Sequence, residues 1–500
     1  MEKVKKIGFS ELVLMNISAL FGIRWIAKST SDNFGLGLGA ILCWVIFAFL
    51  FFVPQALMCA ELSSAYPSDG GLGDWVGIAF GNKYKFMVSW LNWTAKVFWY
   101  ASFLTFFSIN AAYMVGRPDL ANNKALVLAL SLAVFWIQSF VSMKGMSFGK
   151  IFTSIGSLGS TLAAVLLIGL SFLAVGILHK APSASVYTLS SMAPKLNMNS
   201  FVAISSIMFA YAGAEVTANF ASEMKNPQKD FPRAIMLSAG IVCALYVIGS
   251  VAMTMLLPTS KIYAYTGTLD GLLAACRLLN IPELLVQVVA GMIMISIFGT
   301  LVLYIAQPVK MLFGQTEPGI FPEKITRNNA HEIPSRAVLC QAVLVSIVLV
   351  CASLFPAVET IYNVLVTMTA LTSLFPYILL FLAYVKIKGQ KEDREDLYQM
   401  TRNKKAARVF GLFEVVLCAA AVVCSALPVM GSFRDNLIYE IEMVGGGLLV
   451  IVSGLLIWKH SGLQNRTVPI SSRRQGSLKK KEVFLSKPAE KKKAESAGPQ

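Results

Sequence analysis

The chain has 500 residues, of which 56% are hydrophobic and 14% charged, with a mean hydropathy of +0.65, whereas soluble proteins carry about 25% charged residues. Twelve membrane helices of about 22 residues would fill roughly half of such a chain, so the composition indicates a polytopic membrane protein and argues against secreted, disordered, fibrous and nucleic-acid-binding classes. The net charge of +16 does not imply a nucleic-acid partner: eleven of those charges sit in 385–408 and 460–500, hydrophilic stretches beside apolar runs, where basic residues meet anionic lipid headgroups.

The basic N-terminus, Met1 to Lys6, runs into an apolar segment without a small-residue cleavage signal, which predicts a retained first span and not a signal peptide. Apolar runs follow at 9–34, 38–60, 86–115, 125–142, 151–178, 199–221, 234–257, 283–313, 337–355, 360–384, 410–428 and 438–458, predicting twelve spans. An even number puts both termini on one side, expected to be the cytoplasm. On that assignment the cytoplasmic segments hold 32 Lys/Arg. The outer loops hold seven (Arg117, Lys124, Lys180, Lys195, Lys261, Arg277 and Arg434), and Arg24, Lys28, Lys96 and Lys310 lie inside spans. The expected organisation is a short cytoplasmic N-terminus (1–7), a twelve-helix domain (8–459) and a basic tail (460–500). The tail is rich in Lys, Ser and Pro and is predicted to be disordered or loosely held at the headgroups; a tail that plugs the cytoplasmic mouth is the alternative. Clusters of small residues at Gly35, Gly37 and Gly39, at Gly156 to Ser160 and at Gly445 to Gly447 predict close helix approach. The GLGLG stretch has no phosphate-loop context.

No enzyme constellation is present in the sequence. His179, His331 and His460 fall in separate loops, and there is no HExxH or GxSxG, so no catalytic residues and no cofactor are expected. Seven of the eight cysteines (Cys43, Cys59, Cys243, Cys276, Cys340, Cys351, Cys418, Cys424) lie in apolar runs without CxxC spacing, which predicts small apolar helix residues and no disulfide or metal site. Charges inside spans carry the chemistry instead, each costing about 3 kcal/mol at a helix centre. Arg24, Lys28 and Asp32 follow one another at intervals of four, along one stripe of a regular helix. Either Lys28 and Asp32 pair near the outer end with Arg24 snorkelling, or the stripe faces an aqueous path and meets a substrate carboxylate. Glu215, two residues after Gly213 and flanked by alanines, needs a partner or must be carried protonated. It is thus a candidate proton carrier, with a structural hydrogen bond to a neighbouring helix as the other reading. Lys96, among Trp93, Trp99 and Tyr100, suits either a cation–π contact or a place in the pathway, and Lys310 is expected to snorkel.

The stretch FAYAGAE (209–215), followed by EMKNPQKDFPRAI (223–235), resembles the sixth-helix signature of the amino acid–polyamine–organocation transporters. AELSSAYPSDGG (60–71), continuing to Trp75 and Gly81, is similar to that superfamily's loop after the second helix; Gln307-Pro308, Phe321-Pro322 and Ile333-Pro334 are similar to the stretch after the eighth. The likeness covers about 1–460, and among the branches it is greatest to bacterial glutamate:GABA antiporter-type permeases.

The resemblance implies an all-α, LeuT-like fold of two inverted five-helix repeats (about 8–180 and 199–384) with two extra helices (about 410–459). The first and sixth spans break at the midplane, and their bare peptide groups hold the substrate. It places the breaks at Gly22 and Gly213, makes Phe209 the aromatic that closes over substrate with Tyr211 beside it, and sets Ile23, Arg24 and Ala212 at the binding surface. Glu215, Lys28 and Lys96 become the coupling or gating groups. The usual Gly-Ser-Gly-Ile run reads here as Leu20-Phe21-Gly22-Ile23, followed by Arg24, so the guanidinium is expected to replace part of the backbone's hold on a carboxylate. The fifth span has no mid-helix lysine, and Ser296 and Thr300 are the hydroxyls a sodium site would need. The expected function is secondary transport of amino acids across the cytoplasmic membrane by exchange. Amino acid–proton symport and a nontransporting amino-acid sensor are the alternatives. The expected partners are small amino acids, protons in the symport reading, and anionic lipids along the basic loops and tail.

Overall fold

The computed structural model describes residues 8–66, 71–144, 159, 161–195, 197–213, 215, 227–315, 319–331, 333–390 and 398–461, and their regular structure is helical. The N-terminal residues 1–7, Pro67 to Gly70, the first part of the fifth span with Gly156 and Ser157, the 216–226 part of the sixth-span signature, and the tail from 462 lie outside the described residues.

The first apolar run is split into α1 (Phe9–Leu20) and α2 (Arg24–Thr30). Then come α3 (Gly39–Ala65), α4 (Leu72–Phe80), α5 (Asn82–Met114), α6 (Lys124–Ser142), α7 (Thr161–Ile177) and α8 (Met198–Tyr211). They are followed by α9 (Pro227–Leu256), α10 (Gly267–Leu279), α11 (Leu284–Gln315), α12 (Ser335–Ala352), α13 (Val358–Gly389), α14 (Lys404–Ser425) and α15 (Phe433–His460). Among the described residues, nine of these (α3, α5, α6, α9 and α11 to α15) are long and apolar enough to cross a bilayer, while α7 and α8 are shorter apolar helices. Two helices fall where the sequence reading left loops. Both α4 and α10 are short, and each mixes its apolar positions with charges (Asp74; Asp270 and Arg277), so neither reads as a span.

Local chemistry sets the ends. Asn123, Asn197 and Asn403 each accept a backbone N–H from the first turn that follows them, at 3.1, 2.8 and 3.0 Å, satisfying donors that a helix start leaves bare. Asn280, at φ +55, stops α10 in the left-handed conformation. In α3 the helix widens into a π-turn over Ala48–Phe52 just before Pro54, whose missing N–H cannot continue the ladder.

Two groups of helices pack around a shared centre. In one, α9 lies against α1, α2 and α3, with α8 against α2 and α3; in the other, α5, α6, α11 and α12 pack on one another. Between them runs α13, which touches α4, α5, α8 and α14. The most apolar stretches of α13 and α5 are 83% and 72% buried, against 28% for α14 and α15, so the first two form the core and the last two face lipid. Small residues make the close approaches expected of them. A Cβ on Gly35 would stand 2.5 Å from the carbonyl oxygens of Lys28 and Ser31, so only glycine lets the chain fold back over α2, where Leu36 N–H reaches Ser29 O at 2.7 Å. At the end of α3, Glu61 accepts from the Tyr384 hydroxyl (2.8 Å) and Met400 N–H (3.0 Å) and pairs with Lys388. That buried carboxylate ties α3, α13 and the segment before α14 together. Burial and the Glu61 carboxylate beside it push the Tyr398 phenol up to about 12.

Candidate functional site

The site begins where α1 fails to continue. Phe21 turns extended (φ −83°, ψ 123°) after bonding its N–H back to Ile17 O at 2.8 Å, and helix resumes at Arg24. An interruption inside a membrane needs partners for the freed peptide groups. Tyr246 on α9 supplies them: its hydroxyl accepts from Gly22 N–H at 3.1 Å and donates to Leu20 O at 2.9 Å. The ring is held by stacking on Trp44, with centroids 4.0 Å apart and planes 13° from parallel. Sequence reasoning missed Tyr246, because nothing in its own stretch distinguishes it from a core aromatic.

The end of α8 meets this break. Ala212 is extended, Gly213 has φ +129, and a Cβ on Gly213 would lie 3.4 Å from Leu20 Cδ2. The end of α8 therefore lies beside the Leu20 side chain at the end of α1. From the last turn of α8, Phe209 packs edge-on against Trp25 of α2 at 5.7 Å. Tyr211 is buried, donates to Trp44 O at 2.9 Å and packs between Trp44 and Phe52. It braces α8 against α3.

Arg24 opens α2 and is buried. Its Nη1 donates to Ser102 Oγ at 3.3 Å, and the guanidinium sits 4.4 Å from the centre of the Phe103 ring and 4.8 Å from that of Trp25, with the Tyr362 phenol nearby. No carboxylate pairs with it among the described residues. Ile23, just before it, is buried. The three-charge stripe does not form. Helix α2 ends at Thr30, Ser31 is extended, and Asp32 turns outward to accept from the Thr259 hydroxyl at 2.8 Å. Lys28 instead donates to Asn363 Oδ1 on α13 at 2.6 Å and to Phe34 O at 3.0 Å, with Glu359 within electrostatic reach. The Lys28–Asp32 pairing considered from spacing is thus replaced by a tie between α2 and α13.

Along one face of α5 the residues at 96, 99 and 103 form a ladder. Lys96 lies 5.6 Å from the Trp99 ring and 5.6 Å from that of Tyr304 on α11; Trp99 stacks on Phe103 at 4.3 Å, and Phe103 carries Arg24. Trp93 and Tyr100, the other aromatics near Lys96 in sequence, are engaged elsewhere, with Gln341 Oε1 and Tyr304 O. Glu215 lies within electrostatic reach of Lys96 and accepts from the Tyr377 hydroxyl of α13, and the N–H groups of Gly213 and Glu215 itself face its carboxylate. Gly22, Phe209, Ala212, Gly213 and Lys96 remain partly exposed although they are central in the packing. Thr300 spends its hydroxyl on Ser296 O at 2.8 Å, and no cluster of three His, Cys, Asp or Glu that could hold a metal occurs among the described residues. The arrangement places a buried guanidinium and a second cation along one face of α5, beside the interruption between α1 and α2, with the Phe209 ring and one hydrogen-bonded carboxyl close by. Such a set can hold a small molecule that carries both a carboxylate and an ammonium group.

The sequence profile of the family described as amino acid permease matches residues 7–449. The chain is 28% identical over 459 residues to an uncharacterized transporter of Legionella pneumophila, covering 91% of this chain and 97% of that one. It is 21% identical over 455 residues to a glutamate/gamma-aminobutyrate antiporter of Lactococcus lactis, covering 89% and 87%. Among solved structures it is similar to MhsT in complex with L-phenylalanine, with a TM-score of 0.54, 14% identity and coverage of 83% of this chain and 98% of that one. At that identity the likeness shows the fold alone, which is LeuT-like, as the sequence signatures implied.

Proposed function

Because the chain belongs to the amino acid permease family, we propose that this multi-pass transporter of amino acids, which is not an enzyme, works by exchange: one amino acid moves inward as a related amino acid or its decarboxylated amine moves outward, by alternating access. The observation that carries the reading is Arg24, a buried guanidinium beside a helix break with no carboxylate partner among the described residues. A buried cation without a counter-ion is strongly unfavourable, and a substrate carboxylate would supply the missing charge. In this reading Gly22, Ile23, Ala212 and Gly213 lend backbone to the ligand, Phe209 closes over it, and Tyr211 braces α8 against α3. Glu215, with Lys96 and Tyr377, sets the charge of the empty site, and Lys28 with Asn363 holds the outer ends of α2 and α13 together. The name of the Lactococcus relative, a glutamate/gamma-aminobutyrate antiporter, favours exchange over proton symport.

The topology that goes with this function counts α1 and α2 as one interrupted span and adds α7 and α8 to the nine long helices, making twelve. The repeats at about 8–180 and 199–384 are then followed by α14 and α15, the chain spanning the cytoplasmic membrane with both termini in the cytoplasm. The excess of Lys/Arg on that side supports the orientation and contact with anionic lipid. Counterflow in liposomes tests the reading. Vesicles preloaded with unlabelled amino acid should accumulate labelled amino acid only when ligand is present on both sides, in a screen over the twenty amino acids and their amines. Release of preloaded ligand into ligand-free buffer at the same rate would refute exchange and favour symport.

A further inference from the structure

One carboxyl takes no part in the site described above. Glu414 lies in the third turn of α14, its side chain is wholly buried, and neither carboxyl oxygen has a hydrogen-bond partner. One turn earlier Gly411 brings α14 so close to α13 that a Cβ there would stand 2.7 Å from Val385 Cγ2 and 3.2 Å from Tyr384 Cδ1, which is how the carboxyl comes to be enclosed.

Helix α14 packs on α13, α8 and α3. Titratable groups on the packed helices are engaged elsewhere: Tyr377 with Glu215, Tyr384 and Lys388 with Glu61, Lys386 over the Phe80 ring, and Tyr211 with Trp44 O. Lys404 and Lys405 lie in the first turn of α14, and Arg408 reaches Gly389 at the end of α13. Glu359 and Tyr362 lie at the opposite end of α13, where Lys28 of α2 meets Asn363. Among the described residues no cation faces Glu414. The wholly buried Cys59 of α3 and Cys418, one turn along α14, lie within electrostatic reach of it. Cys59 also lies within electrostatic reach of Glu215 and Tyr377. On the same face of α3, one turn back, the wholly buried Gln55 carboxamide likewise has no partner.

We propose that Glu414 is a proton-binding site of the transport cycle, occupied by a proton while α3, α13 and α14 are packed together and emptied when they part. The inference rests on the transport reading above and adds to it a ligand, the proton, and a place for it. An ionised carboxyl with neither donor nor cation is strongly disfavoured in a dry site, whereas the acid is not. Binding forms one O–H bond at a carboxyl oxygen with a proton taken from water; release returns that proton to water that enters between α3 and α14. Proton occupancy is thereby tied to conformation, which is the requirement for coupling.

The full chain in liposomes tests this with dicyclohexylcarbodiimide, which modifies protonated carboxyls in apolar surroundings, and with radiolabelled L-glutamate counterflow beside a trapped pH dye. The wild type should be modified at Glu414, with inhibition of counterflow, and ligand on one side should alter the extent of modification. Glu414→Gln should lose the modification, and the proton movement per glutamate carried should fall by about tenfold or more. Wild-type proton movement and an unaltered pH profile in Glu414→Gln would overturn the proposal. If that variant does not fold, an unmodified Glu414 in the wild type overturns it instead. Absence of wild-type counterflow would count against the exchange reading, while the labelling would still decide Glu414.

Discussion

Tyr246→Phe removes one oxygen atom and leaves the ring. In the structure that oxygen is the bridge across the first helix break, accepting from Gly22 N–H and donating to Leu20 O, while the ring keeps its stacking on Trp44. Without it the buried Leu20 carbonyl has lost its donor, and the half-buried Gly22 amide its acceptor. An unsatisfied buried group is worth about 1–3 kcal/mol; taking the full effect for Leu20 and a discounted one for Gly22, the variant should lose about 2 kcal/mol. That corresponds to roughly a thirtyfold shift between intact and distorted breaks. Thermal unfolding of the purified chain in micelles should occur at lower temperature, and counterflow should fall further than the amount of folded protein does. A variant with wild-type unfolding and wild-type exchange would refute the idea that Tyr246 completes the break.

Arg24→Ala should abolish amino-acid uptake far more than it lowers abundance, by about 100-fold if one charge-assisted carboxylate contact is lost, and Arg24→Lys should recover part of it; unchanged uptake in the alanine variant would leave the guanidinium structural. Glu215→Gln should shift the pH dependence of exchange, whereas an unaltered profile would restrict Glu215 to its hydrogen bond with Tyr377. Lys388→Ala leaves Glu61, about nine-tenths buried, without its cation, so a loss of about 3 kcal/mol is expected. Faster proteolysis of the segment around Tyr398 is the reading that checks it. Gly35→Ala forces a methyl group against three carbonyl oxygens, and size-exclusion profiles should show little folded protein; a normal profile would mean the 31–36 turn can relax.

Much of this protein is legible in one dimension. Long apolar runs at this composition mark a membrane protein, because that effect depends on residue type summed over a stretch and not on neighbours in space. The family resemblance implied interruptions at Gly22 and Gly213, of which the first is seen between α1 and α2, and Arg24 is conspicuous simply for being charged inside a span. Partners are not legible. The i, i+4, i+8 spacing of Arg24, Lys28 and Asp32 suggested a stripe, but the helix ends at Thr30, and Lys28 finds Asn363, 335 residues away. Tyr211 lies within the signature yet turns to Trp44, while Tyr246 and Tyr304, in stretches with no motif, complete the break and the Lys96 cage. Glu414 sits in an ordinary apolar run, and its isolation is a property of three helices meeting. Sequence by itself therefore determined the membrane class and the family resemblance. Only the packing of distant helices decided which polar groups satisfy one another and which are left bare, because a hydrogen bond or an unpaired charge is defined by separations of a few ångströms that no linear spacing encodes.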